Sequence, residues 1–157
     1  MRVGITGHRG LSGRLAEQVW ALLAGRISTY DPGELVGVSC IADGPDSWFA
    51  ETVLRHRGRL EVVIPATEYR HGLPDWHHPV YDRLVSRAAD VHHTGITAST
   101  PEAHQAGSEI LVGLVDELIA VWDGKPARGY GGTADVVAYA QRTGVPVRVL
   151  WPEGAGR

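Results

Sequence analysis

Apolar, strand-like runs that alternate with helical segments are the feature that most constrains the fold of this 157-residue chain. Short continuous apolar runs are typical of strands that are buried on both faces of a parallel sheet. They occur at residues 3–6, 35–42, 60–64, 118–122 and 145–150, with a further short strand or connector at 91–94. Helical spacing or capping residues mark the segments 11–29, 47–57, 80–89, 101–114 and 133–142. The alternation predicts an α/β fold: a single Rossmann-like, three-layer domain with a mostly parallel, doubly wound sheet.

The length of the chain suits one domain. We assign residues 1–151 to a Rossmann-like nucleotide-binding domain and residues 152–157 to a C-terminal tail. Residues 66–78 are rich in Gly, Pro, His and aromatic residues without periodicity, which predicts a long loop over a cleft. A lone cysteine, Cys40, and the lack of any apolar run long enough to span a bilayer favour a cytoplasmic protein with no membrane contact.

Charge limits the expected partners. The chain has 15 basic and 18 acidic residues, a formal net charge of −3, and Lys125 is its only lysine. Proteins that coat nucleic acid need a basic face, so the composition predicts that nucleic acid is an unlikely partner. The histidines do not show a metal-ligand spacing, so we predict no metal site, and no cofactor is expected.

The strongest candidate site is the glycine-rich segment 129–133 (Gly-Tyr-Gly-Gly-Thr), between a buried strand and a helix. Glycines let backbone amides approach an anion closely, and the N-terminus of the following helix favours negative charge. Lys125 and Arg128 lie just upstream and would neutralise a phosphate. The predicted ligand-binding residues of this region are Asp123, Gly124, Lys125, Arg128, Gly129, Gly131, Gly132 and Thr133.

Two other polar turns follow buried strands, and in a parallel sheet they meet the glycine-rich segment at the carboxyl edge. Gly7, His8 and Arg9 follow the first strand and are predicted to contact phosphate or ribose. Gly44 follows the second strand and would border the site. For Asp46, two residues later, we favour a helix-capping role over a catalytic one. Aromatic residues in loops that suit stacking on a base are Tyr69, Trp76 and Tyr130.

These segments resemble the SLOG superfamily, which includes LOG-type phosphoribohydrolases, DNA-processing DprA proteins and molybdenum-cofactor carrier-like proteins. Residues 4–9 (Gly-Ile-Thr-Gly-His-Arg) resemble its first glycine turn, and residues 39–46 (Ser-Cys-Ile-Ala-Asp-Gly-Pro-Asp) resemble the S-G-x-A-x-G-x-D turn of the DNA-processing branch. Residues 116–124 and 129–135 resemble the strand, phosphate loop and helix common to the superfamily. The resemblance implies a Rossmann-like fold, a nucleotide or ADP-ribose-like ligand, and a homodimer or higher homo-oligomer.

Comparison with the LOG motif also indicates whether the loop supports ligand binding alone or hydrolysis of the ligand as well. In LOG enzymes the loop reads P-G-G-x-G-T-x-x-E, and its glutamate helps to cleave an N-glycosidic bond. Here Val136 stands at the position of that glutamate, and Arg128 at that of the proline. Our leading hypothesis is therefore that the chain binds a nucleotide or nucleotide-derived phosphate, and whether it is an enzyme stays open.

Two alternatives remain. The first is a LOG-like N-glycoside hydrolase acting on nucleoside monophosphates, for which Asp135, Asp123 or Glu109 would have to supply the carboxylate that stabilises an oxocarbenium-like charge. The second is an accessory or assembly protein whose cleft no longer binds a ligand.

Overall fold

The computed structural model describes residues 1–127 and 129–156, and a six-stranded, all-parallel sheet lies at its centre. The strands are β1 (Arg2–Gly7), β2 (Val36–Ser39), β3 (Arg59–Ile64), β4 (Asp90–His93), β5 (Glu117–Val121) and β6 (Val147–Val149). Their order across the sheet is β4-β3-β2-β1-β5-β6, and every neighbouring pair is parallel. The predicted parallel, doubly wound sheet is confirmed.

Helices cover both faces of this sheet. They are α1 (Gly13–Ile27), α2 (Pro45–Arg55), α3 (His78–Arg87), α4 (Pro101–Gly113) and α5 (Thr133–Arg142). The predicted long loop between β3 and α3 contains two short 3-10 turns, Arg70–Gly72 and Asp75–His77. In the part of the chain that the structure describes, no helix has the length and apolar character needed to cross a membrane.

The buried side chains divide between the two faces because successive strand residues point in opposite directions. On one face, Ile5 and Ile119 pack with residues of α1 and α2, such as Leu23 and Phe49. On the other face, Leu118 packs with residues of α4 and α5, including Leu111, Val136 and Ala140. Helices, sheet and helices therefore form the three layers that the sequence predicts.

The strand order reverses at β1, and this reversal determines where a site can lie. From β1 to β4 the chain moves toward one edge of the sheet, whereas β5 returns to the other side of β1 and β6 continues toward the opposite edge. The turns after β1 and β5 consequently diverge toward different layers. In sheets of this kind the crevice outside the carboxyl ends at the reversal is the usual ligand site.

Candidate ligand-binding cleft

A cleft with a volume of about 350 Å³ opens at this reversal, within the size range of small-molecule sites. Most of its lining falls into two groups. The glycine side consists of residues 7–9, after β1, and residues 129–133, before α5. The acid side consists of Cys40, Ala42, Asp46, Tyr69, His104 and Ser108. Because β2 and β5 both neighbour β1, residues that follow β2 and residues that follow β5 flank the same turn.

The glycine side depends on the absence of side chains at specific positions. Gly131 has φ +83°, and a Cβ there would lie 2.8 Å from the carbonyl oxygen of Pro101 at the start of α4. Glycine is thus required for the loop to pass α4. The backbone N–H of Gly131 donates to the Asp135 carboxylate at 2.9 Å, which fastens the loop to the first turn of α5.

The first turn of α5 borders the cleft directly. Gly132 is the N-cap of this helix, and Thr133, its first residue, is buried and lines the cleft. A helix N-terminus carries backbone N–H groups without intrahelical partners and a partial positive charge. The glycine side therefore presents a favourable environment for an anion.

The turn after β1 packs against both of its neighbours. A Cβ at Gly7 would lie 2.9 Å from side-chain atoms of Pro45 and Val121. The buried His8 ring has its Nε2 3.2 Å from the Asp123 carboxylate and meets the Trp151 ring edge-on. These contacts join the ends of β1 and β5 beneath the cleft.

Arg9 supplies positive charge at the cleft. Its guanidinium lies 2.6 Å from the Asp43 carboxylate, while about half of its side chain remains exposed. Because the Asp43 carboxylate is only 10% exposed, separating the pair would leave a buried charge without its partner, so Arg9 stays paired. A guanidinium has five N–H donors, and the exposed half of this side chain leaves some of them for a second anion.

Asp46 lies on the acid side. The N-cap of α2 is Gly44, so the prediction that Asp46 caps this helix is wrong, and its carboxylate lines the cleft instead. The pKa of Asp46 is raised to about 7: burial is the main cause and Asp43 adds to it, while a hydrogen bond from the Ala42 backbone and the charge of Arg9 oppose the shift. A carboxyl with a pKa near neutrality can hold or release a proton at physiological pH.

The other titratable groups on the acid side are neutral at pH 7. Burial and the nearby Asp46 raise the pKa of the Cys40 thiol, and burial raises that of Tyr69. Burial and Arg9 lower the pKa of His104, whose Nε2 lies 2.8 Å from the Ser99 hydroxyl. Asp46 is the only carboxylate among the described residues that line the cleft.

The turn between β2 and α2 is held in an uncommon conformation. Ile41 has φ +48°, a region that β-branched residues rarely adopt. Its N–H donates to the Ser39 hydroxyl at 2.9 Å, and its carbonyl oxygen lies 2.9 Å from Nε2 of the buried His77. Since a carbonyl oxygen can only accept, Nε2 carries the proton and donates. Ser47 lies 3.2 Å from the same nitrogen and donates to the Ala42 carbonyl at 2.6 Å.

Of the residues predicted to bind a ligand, one group lines the cleft: Gly7, His8, Arg9, Gly129, Gly131, Gly132 and Thr133. Gly44 packs behind Arg9, where a Cβ would lie 3.6 Å from the Arg9 Cα. Asp123, Gly124 and Lys125 are not in the lining, and the Lys125 backbone N–H donates to Asp123 at 3.0 Å. Arg128 lies outside the described residues.

The three candidate catalytic carboxylates also lie outside the lining. Asp135 accepts from Gly131, Asp123 is buried beside His8, and Glu109 accepts from the Gln105 side chain at 3.2 Å. Val136, at the position of the LOG glutamate, does line the cleft, so an apolar side chain stands there.

Sequence reasoning missed Asp46, His104, Ser108 and Cys40 as lining residues. A signal was available for Asp46, because it matches the final aspartate of the S-G-x-A-x-G-x-D turn. The two α4 residues give no such signal, since helical periodicity does not identify which turn of a helix faces a cleft.

Within the described ranges, Glu61, Asp90 and His92 form the one group of side chains whose potential metal-ligating atoms lie within 4.8 Å of one another. Glu61 already pairs with the Arg2 guanidinium at 2.7 Å and with His92 at 2.9 Å. Because the Arg2 guanidinium already supplies the positive charge that a metal ion would bring to Glu61, we interpret the group as an ion-pair cluster.

Neither a protein-family model nor a curated protein matches the sequence. Solved structures do match. DNA processing protein A (DprA) of Streptococcus pneumoniae is 21% identical with a TM-score of 0.69, over 98% of this chain and 51% of that one. DprA of Helicobacter pylori is 18% identical with a TM-score of 0.70, over 98% and 66%. The molybdenum cofactor binding protein of Rippkaea orientalis is 17% identical with a TM-score of 0.61, over 94% and 74%.

This chain thus spans about half of the first DprA protein and about two thirds of the second. The H. pylori structure concerns a single-stranded DNA binding mode. The prediction that nucleic acid is an unlikely partner is therefore wrong, because the same fold occurs in a protein that binds DNA. The physical error is that net charge averages over the whole surface, whereas binding depends on the charge of one face.

Strand order, helix placement and these structural matches agree with the resemblance drawn from the glycine-rich turns. The chain has the Rossmann-like fold of these DprA proteins and of the molybdenum cofactor binding protein.

Proposed function

We propose that the cleft binds a nucleotide or a nucleotide-derived ligand, with a phosphate against the first turn of α5. One observation carries the proposal: the glycine-rich segment 129–133 lines the cleft and leads directly into the N-terminus of a ten-residue helix. Backbone N–H groups and the helix dipole favour an anion at that position.

Further features of the cleft support the proposal. The partly exposed Arg9 guanidinium lies in the same lining and can donate to a phosphate while it stays paired with Asp43. Tyr130, 59% exposed at the edge of the cleft, offers a ring face to a base. A polar end and an aromatic end in one cleft suit the two ends of a nucleotide.

The test is calorimetric titration with AMP, ADP-ribose, NAD and cyclic dinucleotides. We expect at least one of them to bind, and a Thr133→Val variant, which keeps the shape but loses the hydroxyl, to bind it about tenfold more weakly, the effect of one lost hydrogen bond to a charged group. Thr143→Val, at the exposed far end of the same helix, is the matched control and should bind like the wild type. Failure of every ligand to bind at millimolar concentration would overturn the proposal.

A second candidate function is binding of single-stranded nucleic acid. The observation in its favour is a pair of exposed loop aromatics, Tyr130 and Trp76, the latter 70% exposed. Bases of single strands stack on such rings without sequence preference. Fluorescence anisotropy with a labelled oligothymidylate would detect it, and loss of binding in Tyr130→Ala would place the strand at the cleft. An unchanged signal at micromolar protein would exclude this function.

A further inference from the structure

The phosphate site does not use the carboxylate of Asp46. This side chain lines the same cleft, from the first turn of α2, and no other carboxylate of the described residues does so. A carboxylate opposes a phosphate by repulsion, and its partial burial disfavours its charged form. Both effects disfavour a carboxylate at this position, so its presence points to a role in recognition.

Its surroundings leave the carboxylate available to a ligand. The Ala42 backbone supplies one hydrogen bond, and Arg9, the cation of the described residues that acts on Asp46, is paired with Asp43 at 2.6 Å. A carboxylate accepts at about four lone-pair positions, so it has further capacity. In a partly enclosed cleft a hydrogen bond to it is stronger than in water.

We propose that Asp46 accepts hydrogen bonds from the hydroxyls of a ribose, so that the cleft selects a ribonucleoside monophosphate with a free vicinal diol. The inference rests on the proposed function, because it places the ribose relative to the phosphate at α5.

Sheet geometry supports this placement. The carboxyl ends of β2 and β5, from which the chain leads to Asp46 and to α5, lie on either side of β1, two strand spacings or about 10 Å apart. A phosphate with its attached sugar bridges such a span. Bidentate contact of a carboxylate with a diol is also the chemistry by which Rossmann proteins recognise ribose.

Calorimetry at pH 8 with the four ribonucleoside 5′-monophosphates and their 2′,3′-dideoxy counterparts tests the proposal. We expect the wild type to bind the dideoxy compound about ten- to a hundredfold more weakly, the effect of losing a hydrogen bond to a charged acceptor. In Asp46→Asn, the ribose and dideoxy compounds should bind within threefold of each other. Asp75→Asn, at a fully exposed carboxylate, is the matched control and should keep the wild-type preference.

A second readout is pH. The groups that face Asp46 are Arg9, Asp43, Cys40, Tyr69 and, through Arg9, His104. Asp46 is the one with a pKa of about 7, so the preference for ribose should shrink in the wild type between pH 8 and pH 6 and stay constant in Asp46→Asn.

The outcomes separate the two proposals. Equal binding of ribose and dideoxy compounds by the wild type overturns the role of Asp46 while phosphate binding stands. Binding of ADP-ribose or a cyclic dinucleotide, with none of the monophosphates bound, also overturns the inference alone. Binding of no compound removes the proposed function as well. The wild-type comparison needs no variant, so it decides the matter even if Asp46→Asn does not fold.

Discussion

The two sides of the cleft are positioned by different physical means. On the glycine side the backbone itself is the proposed binding surface, and Gly131 and Gly7 matter because a Cβ would collide with Pro101 or with Pro45 and Val121. On the acid side the proposed binding group is a side chain, the Asp46 carboxylate. There, the Ser39 hydroxyl accepts from the Ile41 N–H, Ser47 and His77 donate to backbone carbonyls, and these buried hydrogen bonds hold the turn that carries the side chain.

The difference shows two routes to a preorganised site. Where backbone amides bind, the requirement is steric, and any added atom obstructs the loop. Where a carboxylate binds, the requirement is a fixed turn, and here that turn includes the left-handed Ile41, a conformation that costs about 1–3 kcal/mol. We therefore expect the glycine side to be sensitive to side-chain size and the acid side to the loss of polar partners.

The largest effect should come from removing the polar partner on the acid side. His77→Ala deletes the donor to the Ile41 carbonyl and leaves a cavity at a residue that is 2% exposed. Lost hydrogen bonds, an unsatisfied buried carbonyl and the cavity together should lower the free energy of unfolding by about 3 kcal/mol, measured by urea denaturation.

The control is His71→Ala, in the same loop but at an exposed position, which should change stability by less than about 0.5 kcal/mol. Equal effects of the two substitutions would show that the buried network does not hold the acid side.

An intermediate effect on stability is expected from adding a methyl group to a glycine of the glycine side. Gly131→Ala places a methyl group 2.8 Å from the Pro101 oxygen and forces alanine to φ +83°, so we expect a loss of about 2 kcal/mol. Gly129→Ala adds the same group in the same loop, where no atom of the described residues other than its chain neighbours lies within 4 Å of the new Cβ, and it should be close to neutral. If both variants unfold at the same urea concentration, the steric account of the glycine side is incorrect.

The same contrast explains how much the sequence could predict. The strands and helices were predicted because apolar continuity and helical spacing are local properties, and α5 begins at Thr133 and ends at Arg142 as the pattern indicates. The predicted second strand, 35–42, is longer than the observed Val36–Ser39 because Cys40, Ile41 and Ala42 are buried in a turn, and burial alone resembles a strand. The glycine side could be recognised from the sequence because the positions that have no room for a Cβ are occupied by glycine.

The acid side could not be predicted in the same way. Its geometry depends on Ile41 meeting His77, 36 residues away, and on His104 of α4 reaching the cleft. Such contacts form only after the layers pack, so no local pattern reports them. Asp46 illustrates the point: in sequence it looks like a helix cap, whereas Gly44 occupies that position.

The smallest effect is expected for Asp46 itself, and here the substitution should raise the free energy of unfolding rather than lower it. Burial raises the pKa of Asp46 to about 7 from an ordinary value near 4, so the folded protein binds a proton more tightly than the unfolded chain does. The protonated carboxyl stabilises the fold below pH 4, and this contribution is lost as the pH rises toward 7. Asp46→Asn avoids that loss because the amide is neutral and can still accept from the Ala42 backbone.

We therefore expect Asp46→Asn to be more stable than the wild type by about 1 kcal/mol at pH 8, a value reduced from the full linkage because the cleft is open to solvent. The difference should shrink toward zero near pH 4, and urea denaturation of both proteins at the two pH values measures it. A variant that is less stable than the wild type at pH 8 would mean that the ionised carboxylate stabilises its own turn. Asp46 would then belong to the scaffold of the acid side rather than to its binding surface. If Asp46→Asn instead gains stability and loses the preference for ribose, Asp46 belongs to the binding surface.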